Sequence, residues 1–173
     1  MEESKVMSQL RQTQTYKADN YIKLNLAKTK LMLFNPCKNK DFMPEMAVEG
    51  TRIYLVEETK LLGVEVSSNL SWHSNTEYIA KRCNNKLWVL RRLKMLGASH
   101  SDLLDVFYKQ VRSIAEFGVP VWNSALTGID IAKLERIQKT ALHIILGENY
   151  RSYSSALKTL GVKKLSERRK HPA

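Results

Sequence analysis

The sequence predicts an α+β fold, a short antiparallel sheet followed by a helical bundle. In the first half, short apolar runs end at turn residues; in the second half, apolar residues recur at spacings of three and four. With 173 residues, 43% of them hydrophobic, and only seven Gly and four Pro, the chain suits one folded domain or slightly more. This composition argues against a disordered tail, a fibre or a coiled coil.

The first 70 residues predict one helix and then strands. In chain order the predicted elements are a helix over 5–21, a strand over 24–34, a hairpin over 46–56 and a third strand over 61–66. Asn35 and Pro36 close the apolar run of the first strand, and Gly50 supplies the hairpin turn. Gly63 indicates a bulge or a place where another backbone or a ligand comes close, with tight packing as the simpler interpretation.

The residues after 70 predict helices. In chain order these are a helix over 72–96, a second that begins at Ser99 or Ser101 and is broken by Gly118 and Pro120, a third over 129–146 and a short one over 152–160. Ser71 is the expected N-cap of the first helix, and Gly97 ends it. Val121 and Trp122 are predicted to form a short extended piece that packs inward, and a basic tail begins at Lys163.

Each long helix has one predicted core face. The positions expected in the core are Ile79, Cys83, Leu87, Leu90 and Leu93 in the first helix, Leu103, Phe107, Val111 and Ile114 in the second, and Leu134, Ile137, Ala141, Ile144 and Ile145 in the third. On the opposite side of the second helix, Asp105 stands four residues before Lys109, and Arg112 four residues before Glu116. This spacing indicates two ion pairs on a solvated surface.

The chain is strongly basic, with a formal net charge of +11 and a pI near 9.7. The first long helix has no acidic residue after Glu77 and carries six cations, namely Lys81, Arg82, Lys86, Arg91, Arg92 and Lys94. The third helix turns Arg136, Lys139 and His143 outward. Such an excess favours a polyanionic partner, because phosphates that are neutralised release counterions, and nucleic acid is the leading candidate.

Neither a secretory signal nor a membrane span is expected, since no run approaches the roughly 18 apolar residues that a span requires. Cys37 and Cys83 match neither a CxxC pair nor a zinc-ligand spacing, so we expect reduced thiols. The sequence therefore predicts a nuclear or cytoplasmic location without a membrane partner.

No metal site or cofactor is expected from the residues present. The five aspartates are Asp19, Asp41, Asp102, Asp105 and Asp130, and none is adjacent to another as a two-metal polymerase site would require. His100 and Asp102 match the first half of an iron-binding His-x-Asp pair, with His143 as a conceivable third ligand. Because they fall at a helix start and in mid-helix, capping is the favoured interpretation, and an iron dioxygenase is the weakest hypothesis.

A series of short motifs occurs in one order along the chain. These are Leu24-Asn25 with Lys28-Thr29-Lys30, Lys60-Leu61-Leu62-Gly63-Val64, Leu70-Ser71-Trp72, Lys86-Leu87 with Leu90-Arg91-Arg92-Leu93, Pro120-Val121-Trp122, Leu134-Glu135-Arg136-Ile137-Gln138-Lys139, Ile145-Leu146-Gly147, and Ser152-Tyr153 with Ala156-Leu157. In this order they closely resemble the end of the reverse transcriptase of non-LTR (LINE-like) retrotransposons, over about residues 15–169.

The resemblance implies how the chain is divided and what its regions do. The implied regions are a palm-remnant helix over 1–21, a palm end with a primer-grip-like hairpin over 22–70, and a helical thumb and connection over 71–173. It implies that the segment of Lys28 and Lys30 assists the phosphates of the incoming nucleotide, and that Leu62 and Gly63 support the primer end. The basic thumb helix, with Arg136 and Lys139, would track the template-primer backbone. Solvated surface lysines and a solvated helix are the plainer alternatives.

The family's catalytic aspartates, which hold its Mg²⁺, precede the segment at Asn25, so the resemblance implies a truncated or domesticated product without them. We therefore expect a nucleic-acid-binding remnant of an RNA-directed DNA polymerase, inactive by itself, with an RNA/DNA template-primer and a fuller reverse transcriptase polypeptide as partners. The alternative is a protein-interaction or non-functional fragment of such an element. Residues 60–122 also resemble the small N-terminal domain of AlkB-type repair and tRNA methyltransferase homologues, a weaker alternative.

Overall fold

The computed structural model describes residues 2–34, 46–48 and 50–170. The chain forms two compact units, residues 1–59 with 67–70 and residues 60–66 with 71–173. Helices and two small two-stranded sheets confirm the predicted α+β class. The turn predicted at Asn35 and Pro36, and the thiol of Cys37, lie outside the described residues.

The first unit contains a helix and a hairpin. Its elements are α1 (Glu2–Asp19), β1 (Met46–Val48) and β2 (Thr51–Ile53). The hairpin is antiparallel, with Met46 opposite Ile53 and Val48 opposite Thr51. At the turn, Gly50 has a φ of +75°, a conformation that favours glycine. The helix and this hairpin confirm the sequence prediction.

The segment 24–34 is not the buried strand that its apolar run predicts. The Lys28 N–H donates to the side-chain oxygen of Asn25 at 3.1 Å and to its carbonyl oxygen at 3.0 Å, which folds the chain into a turn. Asparagine competes with strand pairing in this way, because its side chain offers the backbone another acceptor. In the described part of the segment, Leu31 alone pairs, in a single bridge with Leu55.

A second hairpin corrects the prediction of one continuous strand over 61–66. Its strands are β3 (Glu58–Leu61) and β4 (Val64–Ser67). Leu62 and Gly63 reverse the chain with φ values of +48° and +92°, both positive as in the tight turns that join antiparallel strands. Gly63 is also closely packed, because a Cβ there would lie 3.0 Å from a ring carbon of Phe117. The turn escaped the sequence pattern because leucine seldom adopts a positive φ.

After this hairpin, the second unit is helical. Its helices are α2 (His73–Met95), α3 (His100–Val106), a π-helical segment (Phe107–Arg112), α4 (Ser113–Ala115), α5 (Val119–Trp122), α6 (Gly128–Leu146), α7 (Tyr153–Leu160) and α8 (Leu165–Lys170). The predicted bounds of α2 and α6 are confirmed to within one residue at each end. In the described part of the chain, no helix combines the length and the apolar character that a membrane span needs.

The helix caps agree in part with the sequence prediction. Ser99, not Ser101, caps α3, and Thr127 caps α6, each in a reciprocal capping box with the acid three residues later. Helix α2 begins after Trp72 and has no side-chain cap, so the N-cap predicted at Ser71 is wrong. The Ser71 hydroxyl instead accepts one backbone N–H near the helix start, at 3.4 Å.

One apolar core joins the helices of the second unit. Its largest fully buried side chains include Trp122, Phe107, Leu87, Leu90, Leu103, Leu134, Leu142 and Ile145. The predicted core positions Leu93, Ile114 and Ile144 are only partly buried and pack at the core's edge. The extended piece predicted at 121–122 is wrong, since α5 is helical there. Pro120 fits the first turn of a helix, where its missing N–H has no partner to lose.

The thiol of Cys83 provides a test of this core. Its side chain is fully buried and donates to the carbonyl oxygen of Val111 at 3.5 Å, and burial raises its pKa from 9.0 to about 12. Because the thiolate is the reactive form, we expect roughly 1,000-fold slower reaction with dithiobis(nitrobenzoate) in the native Cys37→Ser variant than in urea at the same pH. Similar rates in the two conditions would contradict the buried position.

Candidate nucleic-acid interface

Helix α2 presents a long exposed surface that carries cations and no carboxylate. Ile79, Cys83, Leu87 and Leu90 face the core, as their spacing predicts. The exposed residues on the opposite side, called here the α2 outer face, are Lys81, Asn84, Asn85, Trp88, Arg91, Arg92, Met95 and Leu96. The sequence has no Asp or Glu between Glu77 and Asp102, so this face has an uncompensated positive charge.

A polar groove lies where α2 packs along α6. This α2–α6 groove, about 550 Å³ in volume, is lined by Glu77, Ala80, Lys81, Asn84, Asn85, Lys133, Arg136, Ile137 and Thr140. Its one acid, Glu77, forms an ion pair with Lys133 and lies 3.5 Å from Nε2 of His73. Lys81 from α2 and Arg136 from α6 are both exposed, so their positive charges face the groove's solvent.

The exposed side of α6 lines a second groove, of about 690 Å³. Arg136 and Thr140 border both grooves, whereas Lys139 and His143 border this one alone, and all three basic residues point outward as predicted. The His143 ring packs edge-on against Tyr150, with 4.8 Å between ring centroids. The cations predicted on α6 therefore continue the basic surface that begins on α2.

The turn of the second hairpin lies beside Arg82. A cavity of about 530 Å³ is lined by Lys60, Gly63, Tyr78, Arg82, Ser113, Ile114 and Phe117. Lys60 donates to the Tyr78 hydroxyl and lies 4.1 Å from its ring centroid, and Arg82 lies 5.4 Å from the same ring. The hydrogen bond from Lys60 lowers the pKa of Tyr78 below its usual value. Gly63 and Arg82, which were predicted separately, thus line the same cavity. Leu62 is exposed in the hairpin turn next to Gly63.

The four remaining predicted residues differ in their surroundings. Lys94 donates to the carbonyl oxygen of Ile145 at 2.8 Å, so it stabilises the end of α6 and does not belong to the α2 outer face. Lys86 is half-buried. Lys28 and Lys30 belong to the first unit, where both are exposed.

The iron hypothesis has no geometric support in the described ranges, where no three His, Cys, Asp or Glu side chains come together as a metal site. Asp102 accepts hydrogen bonds from the Ser99 hydroxyl at 2.6 Å and from its backbone N–H at 3.3 Å, as a capping residue does. His100 lies 3.3 Å from the Lys94 ammonium, and His143 contacts Tyr150. The described residues also offer no such cluster of carboxylates for the Mg²⁺ of the resembled family.

Several residues of this surface were missed by the sequence patterns. They are Lys60, Tyr78, Asn84, Asn85, Trp88 and Lys133. A signal existed for two groups, since Lys133 stands three residues before Arg136, and Asn84 and Asn85 fall three and four residues after Lys81. The contact between Lys60 of the hairpin and Tyr78 of α2 is a tertiary contact, and the spacing of residues in the sequence does not predict it.

The buried carboxylate of Asp130 makes the stability of the second unit depend on pH. Burial alone would raise the pKa of this carboxyl group. However, the carboxylate accepts hydrogen bonds from the Thr127 hydroxyl at 2.6 Å and from Nδ1 of His73 at 3.0 Å, and these lower the pKa below the usual 3.8. A carboxyl group with a lowered folded-state pKa stabilises the fold above its unfolded pKa, and this contribution is lost as the pH falls through the folded value.

Replacing Asp130 with alanine should therefore cost about 1–3 kcal/mol in the free energy of unfolding at neutral pH. The difference from the wild type should shrink at acidic pH, below the usual carboxyl pKa of 3.8. Urea denaturation at neutral and acidic pH measures both effects. Asp102→Ala, which removes the exposed capping box of α3, is the control and should cost less. An undiminished difference at acidic pH would contradict the role given to the ionised carboxylate.

Comparison with known proteins does not extend this picture: no protein-family model, curated protein or solved structure matches the chain. The relationship to reverse transcriptases stays a prediction from the ordered motifs.

Proposed function

We propose that the second unit binds the phosphate backbone of nucleic acid through the α2 outer face and the α2–α6 groove. The observation that carries this proposal is the placement of Lys81 and Arg136, from two different helices, on one groove. The groove's only acid, Glu77, is already paired with Lys133, so it leaves the other two charges uncompensated.

The chemistry of the groove suits a phosphate ligand. Asn84, Asn85 and Thr140 add amide and hydroxyl donors beside the two cations, and such side chains commonly contact phosphate and sugar oxygens. Arg91 and Arg92 extend the positive charge along α2, and Lys139 extends it along α6. A surface of this kind contacts the backbone and does not read the base sequence.

The natural ligand in this proposal is an RNA/DNA template-primer, with the chain acting as a binding remnant of a retrotransposon RNA-directed DNA polymerase. The ordered motifs support this identity, and the basic helix α2 supports the binding role. Catalytic carboxylates would come from a fuller reverse transcriptase polypeptide, in the nucleus or the cytoplasm. By itself the chain should not extend a primer.

Fluorescence anisotropy of a labelled RNA–DNA hybrid across a salt series tests the proposal. We expect affinity to fall steeply with salt, and the Lys81→Ala/Arg136→Ala variant to reduce the slope of log K against log salt by about two, since each phosphate contact contributes about one. The control is Lys158→Ala/Lys163→Ala, which removes two exposed charges that line neither groove.

The two variants lose the same net charge, so a difference between them reports position. Equal effects of both variants would assign the binding to net charge alone. Affinity that does not change with salt would contradict phosphate contacts, and no binding by folded protein would favour the protein-interaction alternative. A parallel primer-extension assay with Mg²⁺ should give no product.

A further inference from the structure

Trp88 is an exposed indole in the middle of a basic helix. Its side chain is 60% exposed, whereas the other two tryptophans, Trp72 and Trp122, are buried. The guanidinium carbon of Arg92 lies 6.0 Å from the centre of the Trp88 ring. The exposed indole and the arginine together present a large flat apolar surface beside a positive charge.

The surroundings of this indole are cationic in both directions along the helix. Lys81 precedes it by two turns, or about 10 Å, and Arg91 and Arg92 follow within one turn. Met95, two turns after Trp88, adds exposed apolar surface. No carboxylate occurs on the α2 outer face. This combination fits a ligand that has both negative charge and flat aromatic faces.

We propose that Trp88 stacks on an unpaired base of a single-stranded nucleic acid whose phosphates contact Lys81, Arg91 and Arg92. This inference rests on the proposed function and adds the strand state of the ligand. In a duplex the flat faces of the bases are covered by neighbouring base pairs, so the indole has no surface to stack on. In a single strand every base offers such a face, and stacking on aromatic side chains is a general mode of binding.

Charge complementarity favours this occupant over a protein. An apolar partner laid on Trp88 and Met95 would bury the adjacent arginines without counter-charges, and burying unpaired charges is expensive. A single strand pairs those arginines with phosphates and covers the indole with a base in the same contact. A second copy of this chain carries the same positive face and would repel it.

The test compares Trp88→Ala, Trp88→Phe and Trp88→Leu with the wild type on three labelled probes. These are a single-stranded oligonucleotide, the same strand with abasic sites, and a duplex whose ends are closed by polyethylene-glycol linkers. We expect Trp88→Ala and Trp88→Leu to weaken single-strand binding about fivefold or more, and Trp88→Phe to keep most of the affinity because it retains an aromatic face. In every variant, affinity for the closed duplex should change less than affinity for the single strand, because the duplex offers no base face to the indole.

The abasic strand distinguishes stacking from charge. It should bind the wild type more weakly than the intact strand does, and it should bind the wild type and Trp88→Ala equally. If the wild type binds all three probes and Trp88→Ala binds the intact strand as tightly as the wild type does, this inference is overturned and the proposed function stands. Wild type that binds no probe would overturn both. Loss of a dimer in Trp88→Ala by sedimentation, with unchanged binding, would assign the face to a second copy and overturn the inference.

Discussion

Replacing Trp122 with alanine is expected to remove about 3–5 kcal/mol from the free energy of unfolding of the second unit, the range for large aromatic residues deleted from a core. The side chain has no exposed surface, and its indole N–H donates to the carbonyl oxygen of Phe117 at 3.0 Å. The variant therefore leaves both a cavity and an unpaired carbonyl oxygen. Since domains are stable by only about 5–15 kcal/mol, this loss removes a large part of the total.

Urea denaturation followed by circular dichroism measures the effect, as a lower midpoint with an unchanged slope. Trp88→Ala is the matched control, because it makes the same chemical change on an exposed side chain and should cost within about 0.5 kcal/mol. Similar losses in the two variants would contradict the burial that separates them. The pair also establishes that Trp88→Ala is folded, which its use as a binding variant requires.

The long helices could be predicted from sequence because their signal is repeated many times. Five apolar positions at helical spacing mark α2, and five mark α6, so a local exception does not change the period. The short strands carry no such redundancy. One asparagine, Asn25, turns the run 24–34 away from a sheet, and one leucine at positive φ, Leu62, divides a predicted strand into a hairpin.

The candidate site could be predicted in its composition but not in its arrangement. The absence of acids in α2 after Glu77 was visible in the sequence, and Lys81, Arg91 and Arg92 lie on the exposed side. Lys94 carries the same charge on the same helix, yet it bonds to a carbonyl 51 residues away, at Ile145. A helical wheel shows the direction of a side chain but not which element meets it there.

The basic tail shows the same limit of prediction from sequence. The tail that begins at Lys163 was predicted from its cations, but its helix α8 packs against α6. Arg169 is buried there, and burial lowers its pKa below the usual value. Arg168 instead bonds to Glu116, with its Nε 2.9 Å from a carboxylate oxygen. Arg168 is therefore held in an ion pair and Arg169 is buried, and neither adds to the exposed surface of α2.

Two ion pairs have the same spacing in the sequence but differ in burial in the structure. Asp105 and Lys109 are 65% and 73% exposed and 3.2 Å apart, as the sequence predicts for a solvated face. The side chains of Arg112 and Glu116 are only 9% and 24% exposed and 3.0 Å apart, so for this pair the solvated prediction is wrong. The π-helical segment ends at Arg112, and a π-helical turn changes which face the following residues present.

Replacing Glu116 with glutamine is therefore expected to cost roughly 2–3 kcal/mol in the free energy of unfolding, less than the roughly 3–5 kcal/mol for a fully buried pair, because Arg168 and Glu116 are partly solvated. The change is isosteric, yet it removes the negative charge that both arginines face, and leaves the buried guanidinium of Arg112 without a counter-charge. Urea denaturation measures the loss, which should persist at high salt because screening acts weakly on buried pairs.

Asp105→Asn makes the same neutralising change in the exposed pair and should cost less than about 0.5 kcal/mol, an effect that salt removes. The double variant Arg112→Met/Glu116→Leu separates charge from packing, because it replaces the buried charges by apolar groups of similar size and should recover much of the loss. Equal costs for Glu116→Gln and Asp105→Asn would mean that both pairs are solvated, as the spacing alone suggests. Recovery in the double variant would locate the cost of Glu116→Gln in the unpaired charge of Arg112, since the packing around it is retained.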